Sequence, residues 1–369
     1  MDRSVLADRL ASGAAWDQFC ESLKTAGHTI LAESPDHPVD RAEGIRYLTR
    51  LTRLAFRLAI EYHDASAPEL IKYMDDTQKF GVDNPDQDYL WARISGRHTY
   101  RLSGPRGGCP YLGFGIYAGS AAGGRRRTVG HWNASDFPPG GGGRIDVVLS
   151  AREHPGHWIR LSEDANTLQV RQLFLDRARE EAPRLHLACL DREGPPPPLA
   201  PERVAHGLLR AAGQIEGTLR MFIDLAKQWA HAPNVLHPRD DAMSEQSFGN
   251  PDFYYSGGYW RLAPDEALVF EWTPPECVYW ALLVCNFWAE SLDFRYRPVS
   301  VNKAQARYRK DGSVRLVLAG RDPGLPDAKW LDTEGHREGT LTLRYVLAKE
   351  YPIPAPRVVR LAELAAGRR

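Results

Sequence analysis

The sequence predicts an α+β protein in which two related antiparallel β-sandwich or jelly-roll-like domains arise by internal duplication. The main observation is that the same landmarks recur in the same order in residues 84–176 and 250–346. A repeat of roughly ninety residues is too long for a solenoid unit and is typical of a duplicated domain. Helical periodicity before the first copy and between the copies predicts an N-terminal helical region and a connecting helix.

The landmarks are an Asn-Pro-Asp motif, a Cys-x-Tyr motif, an asparagine, a Pro-Gly turn, a tryptophan and an arginine within an apolar strand. In the first copy they are Asn84-Pro85-Asp86, Cys109-Pro110-Tyr111, Asn133, Pro155-Gly156, Trp158 and Arg171. In the second copy they are Asn250-Pro251-Asp252, Cys277-Val278-Tyr279, Asn302, Pro323-Gly324, Trp330 and Arg344. Because both copies keep these residues, we expect most of them to serve the common fold.

The first half of the chain changes from helical to strand-like patterns. Residues 1–78 are predicted to be helical, because apolar residues recur at helical spacing and Asp40 is placed to cap a helix. Residues 79–193, the first β-domain copy, are short apolar runs separated by Gly and Pro turn signals. Gly140–Gly143 lacks the Lys-Ser/Thr of a phosphate loop, so we expect a hairpin tip there.

The second half begins with a proline-rich boundary. Residues 194–232 contain four consecutive prolines and then a helix predicted from about Glu202 to Trp229. Its apolar stripe is expected to pack on a sheet, with assembly with a partner as the alternative. Residues 233–350 form the second β-domain copy, and the proline-rich residues 351–369 are predicted to be an extended tail. Strands that follow strands without intervening helices indicate antiparallel sheets with helices outside them.

Composition excludes several classes of partner. The 47 basic and 47 acidic residues balance, so the chain has no general attraction to nucleic acid or an anionic membrane. The short basic run Arg125-Arg126-Arg127 is expected to be a solvated loop. The N-terminus lacks the apolar segment of a signal peptide, and no apolar stretch is long enough to cross a bilayer. We therefore expect a soluble, cytoplasmic protein.

Motifs for cofactors and metals are missing from the sequence. There is no GxGxxG after a strand, no HExxH and no CxxC, and the motifs of serine and cysteine nucleophiles are also absent. The prediction is therefore a protein that binds a small molecule and that has neither a cofactor nor a metal site.

The densest polar segment, residues 322–339, supplies the candidate catalytic residues. Asp332 and His336 are four residues apart in a Gly/Pro-rich loop, and a carboxylate that orients an imidazole is the usual arrangement of a general base. Neither has a counterpart in the first copy, which favours a functional role. The alternative is that Asp332 closes a turn and His336 lies on the surface. Asp322 and Trp330 are candidate binding residues in the same loop.

Further residues are candidates for a pocket wall that contacts substrate. They are Trp288, Asp293, Arg295, Asn302 and Arg344 in the second copy and Arg93 and His131 in the first. Two structural alternatives stay open. Asp293 and Arg295 can form an ion pair that fixes a turn. Arg344 and its counterpart Arg171 lie among apolar strand residues, so each is expected to pair with a structural carboxylate or to bind a substrate carboxylate.

The motifs also resemble a known family. Arg93-Ile-Ser-Gly followed by Thr99-Tyr-Arg101, and Trp330-Leu-Asp332-Thr followed by Gly335-His336, are similar to bacterial proteins of the domain-of-unknown-function 1214 family, often paired with a domain numbered 1254. The resemblance covers residues 80–346 and implies consecutive β-sandwich domains with helical additions. The helical N-terminus does not resemble the partner domain, and the family implies no catalytic roles.

The sequence therefore leaves three hypotheses for function. The first is a cofactor-independent enzyme, a hydrolase, lyase or isomerase, that acts on a small organic molecule by acid–base chemistry. The second is a non-catalytic protein that binds a carbohydrate or another small ligand. The third is an assembly in which the helix 202–229 forms a homo-oligomer. Since pockets favour domain interfaces, the seam between the copies is the expected place for a site.

Overall fold

A computed structural model describes residues 2–119, 126–138 and 143–366 of the chain. Arg125 and residues 140–142 of the expected hairpin tip lie outside the described residues. The helices in the described part are Arg3–Ala11 (α1), Ala14–Glu33 (α2), Pro38–Phe56 (α3), Pro201–Ala230 (α4), Asp241–Gln246 (α5) and Leu361–Ala366 (α6). A π-helical segment, Arg57–Glu61, continues α3. None of the helices in these three ranges combines the length and apolar character needed to cross a membrane.

The first β-domain copy is a sandwich of two sheets. Its strands are Ile71–Lys72 (β1), Gln87–Arg93 (β2), Tyr100–Pro105 (β3), Tyr111–Ala118 (β4), Arg127–Asn133 (β5), Arg144–Ser150 (β6), Trp158–Arg160 (β7), Ala165–Leu173 (β8) and His186–Cys189 (β9). One sheet has the order β1-β2-β8-β4-β5 and the other β7-β6-β3-β9. Apolar residues from both sheets, among them Phe114, Ile116 and Leu149, fill the space between them.

The second copy repeats this topology strand for strand. Its strands are Val235–His237 (β10), Phe253–Arg261 (β11), Glu266–Trp272 (β12), Tyr279–Val284 (β13), Ser300–Asn302 (β14), Val314–Ala319 (β15), Lys329–Asp332 (β16), Glu338–Val346 (β17) and Arg357–Arg360 (β18). The sheet orders are β10-β11-β17-β13-β14 and β16-β15-β12-β18. The predicted α+β fold with two related sandwiches is confirmed. All pairs are antiparallel except β6–β7 and β15–β16, which are parallel.

The end of the chain differs from the expected extended tail. Residues 351–356 are irregular, but Arg357–Arg360 pairs with β12 as an edge strand, as β9 pairs with β3 in the first copy. Helix α6 follows directly. The prolines at 352, 354 and 356, on which the prediction of an extended tail rested, all precede the strand, and an edge position tolerates such neighbours.

The N-terminal helices and α4 form a helical layer with a core of its own. Helix α4 agrees with the predicted range to within one residue at each end. Its stripe residues Ile215, Leu219 and Ile223 share a core with Phe19 and Ile30 of α2, so the stripe packs on helices as well as on β11. Pro38 begins α3 and His37 is its N-cap, so Asp40 lies in the first turn instead of capping the helix.

The two copies are joined by a reciprocal set of hydrogen bonds. Tyr279 Oη in the second copy donates to Asp86 Oδ2 at 2.8 Å, and Asn84 Nδ2 donates to Tyr279 Oη at 3.1 Å. In the opposite direction, Tyr111 Oη in the first copy donates to Asp252 Oδ2 at 2.7 Å. Asn250 completes the second set by donating to Tyr111 Oη at 2.7 Å. The repeated motifs thus hold the copies together with approximate two-fold symmetry.

Candidate functional site

A cavity of about 1490 Å³ lies where the seam between the copies meets the helical layer. Strands β2 and β8 contribute one wall, β11 and β17 the opposite wall, and α4 with the π-helical segment closes the space. Tyr89, Trp91 and Arg93 all face it, because alternate residues of a strand point to the same side. The expected location of a pocket at the seam agrees with this geometry.

The cavity wall carries far more basic than acidic side chains, although the whole chain is neutral. Among the residues that the structure describes, eight arginines line it, whereas its acidic residues are Glu202 and Asp240. The arginines are Arg3, Arg93, Arg126, Arg171, Arg203, Arg210, Arg239 and Arg344. Two of them are neutralised by ion pairs, Arg203 with Asp64 and Arg239 with Asp241. The balance of charge therefore favours a negatively charged ligand.

Arg171 and Arg344 occupy equivalent positions in the two copies. Arg171 on β8 lies opposite Tyr89, and Arg344 on β17 lies opposite Tyr255. They are only 3% and 4% exposed. Both guanidinium groups donate to carbonyl oxygens, of Phe248 and of Val82 respectively, and Arg171 Nη1 also donates to Tyr117 Oη at 3.3 Å.

Neither arginine has the structural carboxylate partner that we considered. Among the residues that the structure describes, the polar contacts of these two guanidinium groups are carbonyl and hydroxyl oxygens, and the Nε of each lacks a hydrogen-bond partner. Buried guanidinium groups almost always meet an anion. Two uncompensated charges in one cavity wall are therefore the strongest indication of a binding site.

Neighbouring histidines reflect the same positive environment. Burial and the nearby charges of Arg210 and Arg93 lower the pKa of His63, which lines the cavity, to about 3. Burial and Arg171 likewise lower the pKa of His131 to about 3. Both imidazoles are thus neutral near pH 7, and the guanidinium groups supply the positive charge. His131 Nε2 lies 3.3 Å from Tyr117 Oη, behind the cavity wall.

Apolar and aromatic side chains form the rest of the wall. They come from the helical layer, the β-sheets and the loops between them, and include Leu58, Phe80, Trp91, Met221, Leu225 and Trp229. Arg126, expected in a solvated loop, instead packs over Phe248 with its guanidinium carbon 3.4 Å from the ring centroid. A ligand with both an anionic group and an apolar body matches such a surface.

The predicted catalytic residues lie away from the cavity lining and do not bond to each other. Asp332 accepts from Arg297 Nη1 at 2.7 Å and from the amide of Glu334 at 2.9 Å. His336 Nδ1 bonds the carbonyl oxygen of Thr333 at 3.0 Å, and its Nε2 lies 2.8 Å from Glu43 Oε2 on α3. Both side chains are buried, so His336 is not a surface residue.

Four other candidates make structural contacts within turns or to a neighbouring strand. Asp322 accepts from the amide of Gly324 at 2.8 Å, and Trp330 Nε1 donates to the carbonyl oxygen of Ala319 at 2.8 Å. Arg295 donates twice to Asp293, at 2.8 Å each, in the ion pair considered as an alternative. These hydrogen bonds hold the pKa of Asp293 at about 2.

Trp288 and Asn302 connect separate parts of the fold. Trp288 is fully buried, and its Nε1 donates to the carbonyl oxygen of Asp40 at 2.8 Å, which docks α3 on the second copy. Asn302 Nδ2 donates to Asp86 Oδ2 at 3.0 Å and to the carbonyl oxygen of Leu175 at 3.1 Å, across the seam. Of the predicted binding residues, Arg93 and Arg344 line the cavity.

Sequence reasoning missed most of the cavity. Tyr89, Tyr255 and Arg210 were not among the candidate site residues, although Tyr89 and Tyr255 occur near the start of the two copies. The available signal was the alternation along β2, where Tyr89, Trp91 and Arg93 share one face. Arg210 gave no signal, because an arginine on an amphipathic helix is usually solvated.

The comparisons with known proteins support the family resemblance. The family model described as "Protein of unknown function (DUF1214)" matches residues 263–350. A crystal structure of an uncharacterised protein from Burkholderia cenocepacia is 41% identical and has a TM-score of 0.93, covering 97% of this chain and 99% of its own. A Vibrio parahaemolyticus protein structure is 12% identical with a TM-score of 0.47, covering 85% of this chain and 97% of its own. None of the curated proteins compared with the chain matches it. The chain belongs to the DUF1214 family.

Proposed function

We propose that this protein binds an organic anion with an apolar body in the cavity between its two β-sandwich copies. The observation that carries the proposal is the pair Arg171 and Arg344, buried in the cavity wall without a carboxylate partner among the described residues. The positions of Asp332 and His336 away from the lining favour binding over the acid–base chemistry that the sequence suggested.

The energetic argument concerns desolvation. Removing a charged group from water costs several kcal/mol unless an opposite charge and hydrogen bonds compensate. Carbonyl oxygens satisfy part of the donor capacity of Arg171 and Arg344, but among the described residues no carboxylate contacts either guanidinium group directly. A carboxylate, phosphate or sulfonate supplies the missing charge and accepts two parallel N–H donors from a guanidinium group.

The volume and the walls describe the remainder of the ligand. At about 1490 Å³ the cavity exceeds the roughly 300–1,000 Å³ of most small-molecule sites. Trp91, Phe80 and Leu225 offer apolar surface in the same cavity as the charged groups. An aromatic or aliphatic body of substantial size, rather than a compact anion such as inorganic phosphate, uses this surface best.

A pair of fluorescent probes separates the contribution of charge from that of apolar burial. The first is 8-anilinonaphthalene-1-sulfonate, an organic anion, and the second is N-phenyl-1-naphthylamine, its uncharged analogue. Replacing Arg344 or Arg171 by methionine keeps the bulk of the side chain and removes the charge. Since a hydrogen bond to a charged group contributes about 1.5–3 kcal/mol, each variant should bind the sulfonate about 10- to 150-fold more weakly. Binding of the uncharged probe should be unchanged.

The matched control is Arg101→Met, because Arg101 is an exposed strand arginine paired with Asp146. This variant should bind both probes like the wild type. Equal loss of both probes in the Arg344 and Arg171 variants, with a lowered Tm, would indicate damage to the cavity rather than loss of a charge contact. Unchanged sulfonate binding in folded Arg344→Met and Arg171→Met would refute the proposal.

A further inference from the structure

A second group of polar side chains is buried where α3 docks on the second β-copy. Asp40 and Glu43 lie one turn apart in α3, and His336 lies in the turn between β16 and β17. One donor atom from each residue lies within 4.8 Å of the other two. All three residues are buried, and none of them lines the cavity described above.

Asp40 is the unexplained member of this group. It is 2% exposed, and its Oδ1 has no hydrogen-bond partner among the described residues. The nearest basic group is His37, whose Nδ1 lies 3.5 Å from Asp40 Oδ2 and also makes no hydrogen bond. A buried carboxylate that is not hydrogen-bonded is costly, so an unpaired oxygen in this position calls for a ligand.

The partners of His336 and Glu43 favour a cation at the same place. Nδ1 of His336 faces the carbonyl oxygen of Thr333 at 3.0 Å, so Nδ1 carries a proton and Nε2 is the nitrogen that can hold either a second proton or a metal ion. Nε2 lies 2.8 Å from Glu43 Oε2, and Asn286 Nδ2 donates to the same oxygen at 2.9 Å. Arg46 binds the other oxygen, Oε1, at 2.8 Å. His336 Nε2 and Glu43 Oε2 are so close that either a proton or a metal ion must lie between them.

We propose that Asp40, Glu43 and His336 bind a divalent transition-metal ion. One imidazole and two carboxylates are the ligand types that Zn²⁺ and Mn²⁺ share, and Zn²⁺ binds the more tightly of the two at such a site. Zn²⁺ holds N and O donors at about 2.0–2.2 Å, which places tetrahedral donors about 3.3 Å apart. In the structure the three ligand atoms lie within 4.8 Å of one another, so each separation needs to shorten by about 1.5 Å at most.

His37 is placed to complete the site or to border a bound water. It caps α3 next to Asp40, and about one third of its side chain is exposed, so it lies between the three ligands and solvent. Bound there, the metal links the first turn of α3 to the β16–β17 turn, and therefore the helical region to the second β-copy. The expected role is a structural clamp, because none of the three ligands lines the large cavity.

The test is zinc binding by the full chain after treatment with a chelator, measured by competition with a chromophoric chelator. The wild type should bind one equivalent of Zn²⁺ and gain thermal stability. Asp40→Asn keeps the shape of the side chain and removes a buried charge, so the variant should fold but bind Zn²⁺ at least about 10-fold more weakly. Cys189→Ser is the control for a second group, His98, Cys189 and Asp191, and should bind like the wild type.

X-ray absorption of the zinc-loaded wild type gives an answer that does not depend on any variant. The proposed ligands predict nitrogen and oxygen neighbours only. A sulfur neighbour at about 2.3 Å would place the ion at a cysteine and overturn the proposal. No stoichiometric binding by the wild type, or binding unchanged in Asp40→Asn, would overturn it as well.

Discussion

Removing the hydroxyl group of Tyr279 should weaken the contact between the two β-copies by an amount that the structure allows us to estimate. Tyr279 is fully buried, and its Oη bonds Asp86 and Asn84 of the other copy. Tyr279→Phe leaves both partners short of a bond, although Asn302 still donates to Asp86. A hydrogen bond to a charged group contributes about 1.5–3 kcal/mol, so the free energy of unfolding should fall by about that amount.

The same estimate holds for Tyr111, because its contacts with Asp252 and Asn250 are the equivalent set. Since the two sets share no residue, the double variant should lose about the sum of the single losses. With an unfolding entropy of about 2.1 cal/mol/K per residue, the 369-residue chain has about 0.8 kcal/mol/K, and each single variant should lower Tm by about 2–4 °C.

Thermal and urea unfolding of the two variants, with Tyr296→Phe as the control, measure this effect. Tyr296 is 80% exposed, so its hydroxyl group should contribute nothing. Burial raises the pKa of Asp86 above its ordinary value, and the bond from Tyr279 opposes that rise. The variant therefore protonates Asp86 at higher pH than the wild type, and its loss of stability should shrink as the pH falls. Stability of Tyr279→Phe and Tyr111→Phe within about 0.5 kcal/mol of the wild type at pH 7 would refute the reasoning.

Two further predictions concern packing and pH. Gly44→Ala should lower the free energy of unfolding by about 1–3 kcal/mol, because the added Cβ would lie 2.5 Å from Trp288. Gly27→Ala is the control, because its added Cβ would lie 3.8 Å from the nearest atom, and it should raise the free energy of unfolding by up to about 1 kcal/mol. Urea unfolding measures both changes. Burial alone would raise the pKa of Glu271, but hydrogen bonds from three arginines hold it at about 2. Its contribution to stability is present above its unfolded pKa of 4.5 and is lost between pH 4.5 and about 2. The difference between wild type and Glu271→Gln should therefore shrink over that range, while exposed Glu276→Gln shows no such trend.

The duplication could be predicted because the repeated residues perform a symmetric task. Asn84 and Asp86 contact Tyr279, and the equivalent residues of the second copy contact Tyr111. Their recurrence in sequence showed that they belong to the common fold. It could not show that each motif acts on the opposite copy, because a contact between distant residues leaves no local pattern.

The candidate site was harder to predict for a related reason. We expected residues shared by the copies to serve the fold and asymmetric ones to serve function. Arg171 and Arg344 are shared, yet both lie in the cavity wall, since a cavity on an approximate two-fold axis is lined by equivalent positions. The asymmetric His336 was predicted to pair with the neighbouring Asp332, but its partner is Glu43, far away in sequence on a helix.

The anion site and the metal site can be tested independently because they share no residue: Asp40, Glu43 and His336 do not line the cavity. Asp40 is in the first turn of α3, and Leu58 of the cavity wall is in the π-helical segment that continues it. Eighteen residues at 1.5 Å each separate them by about 27 Å along the axis. Among the described residues Asp40 makes no ion pair or hydrogen bond with a cavity arginine, so Asp40→Asn should leave binding of the anionic probe unchanged. Arg344→Met should likewise leave zinc binding unchanged. If one variant abolished both, the helical region would have come away from the β-copies, and neither result would report on its own site.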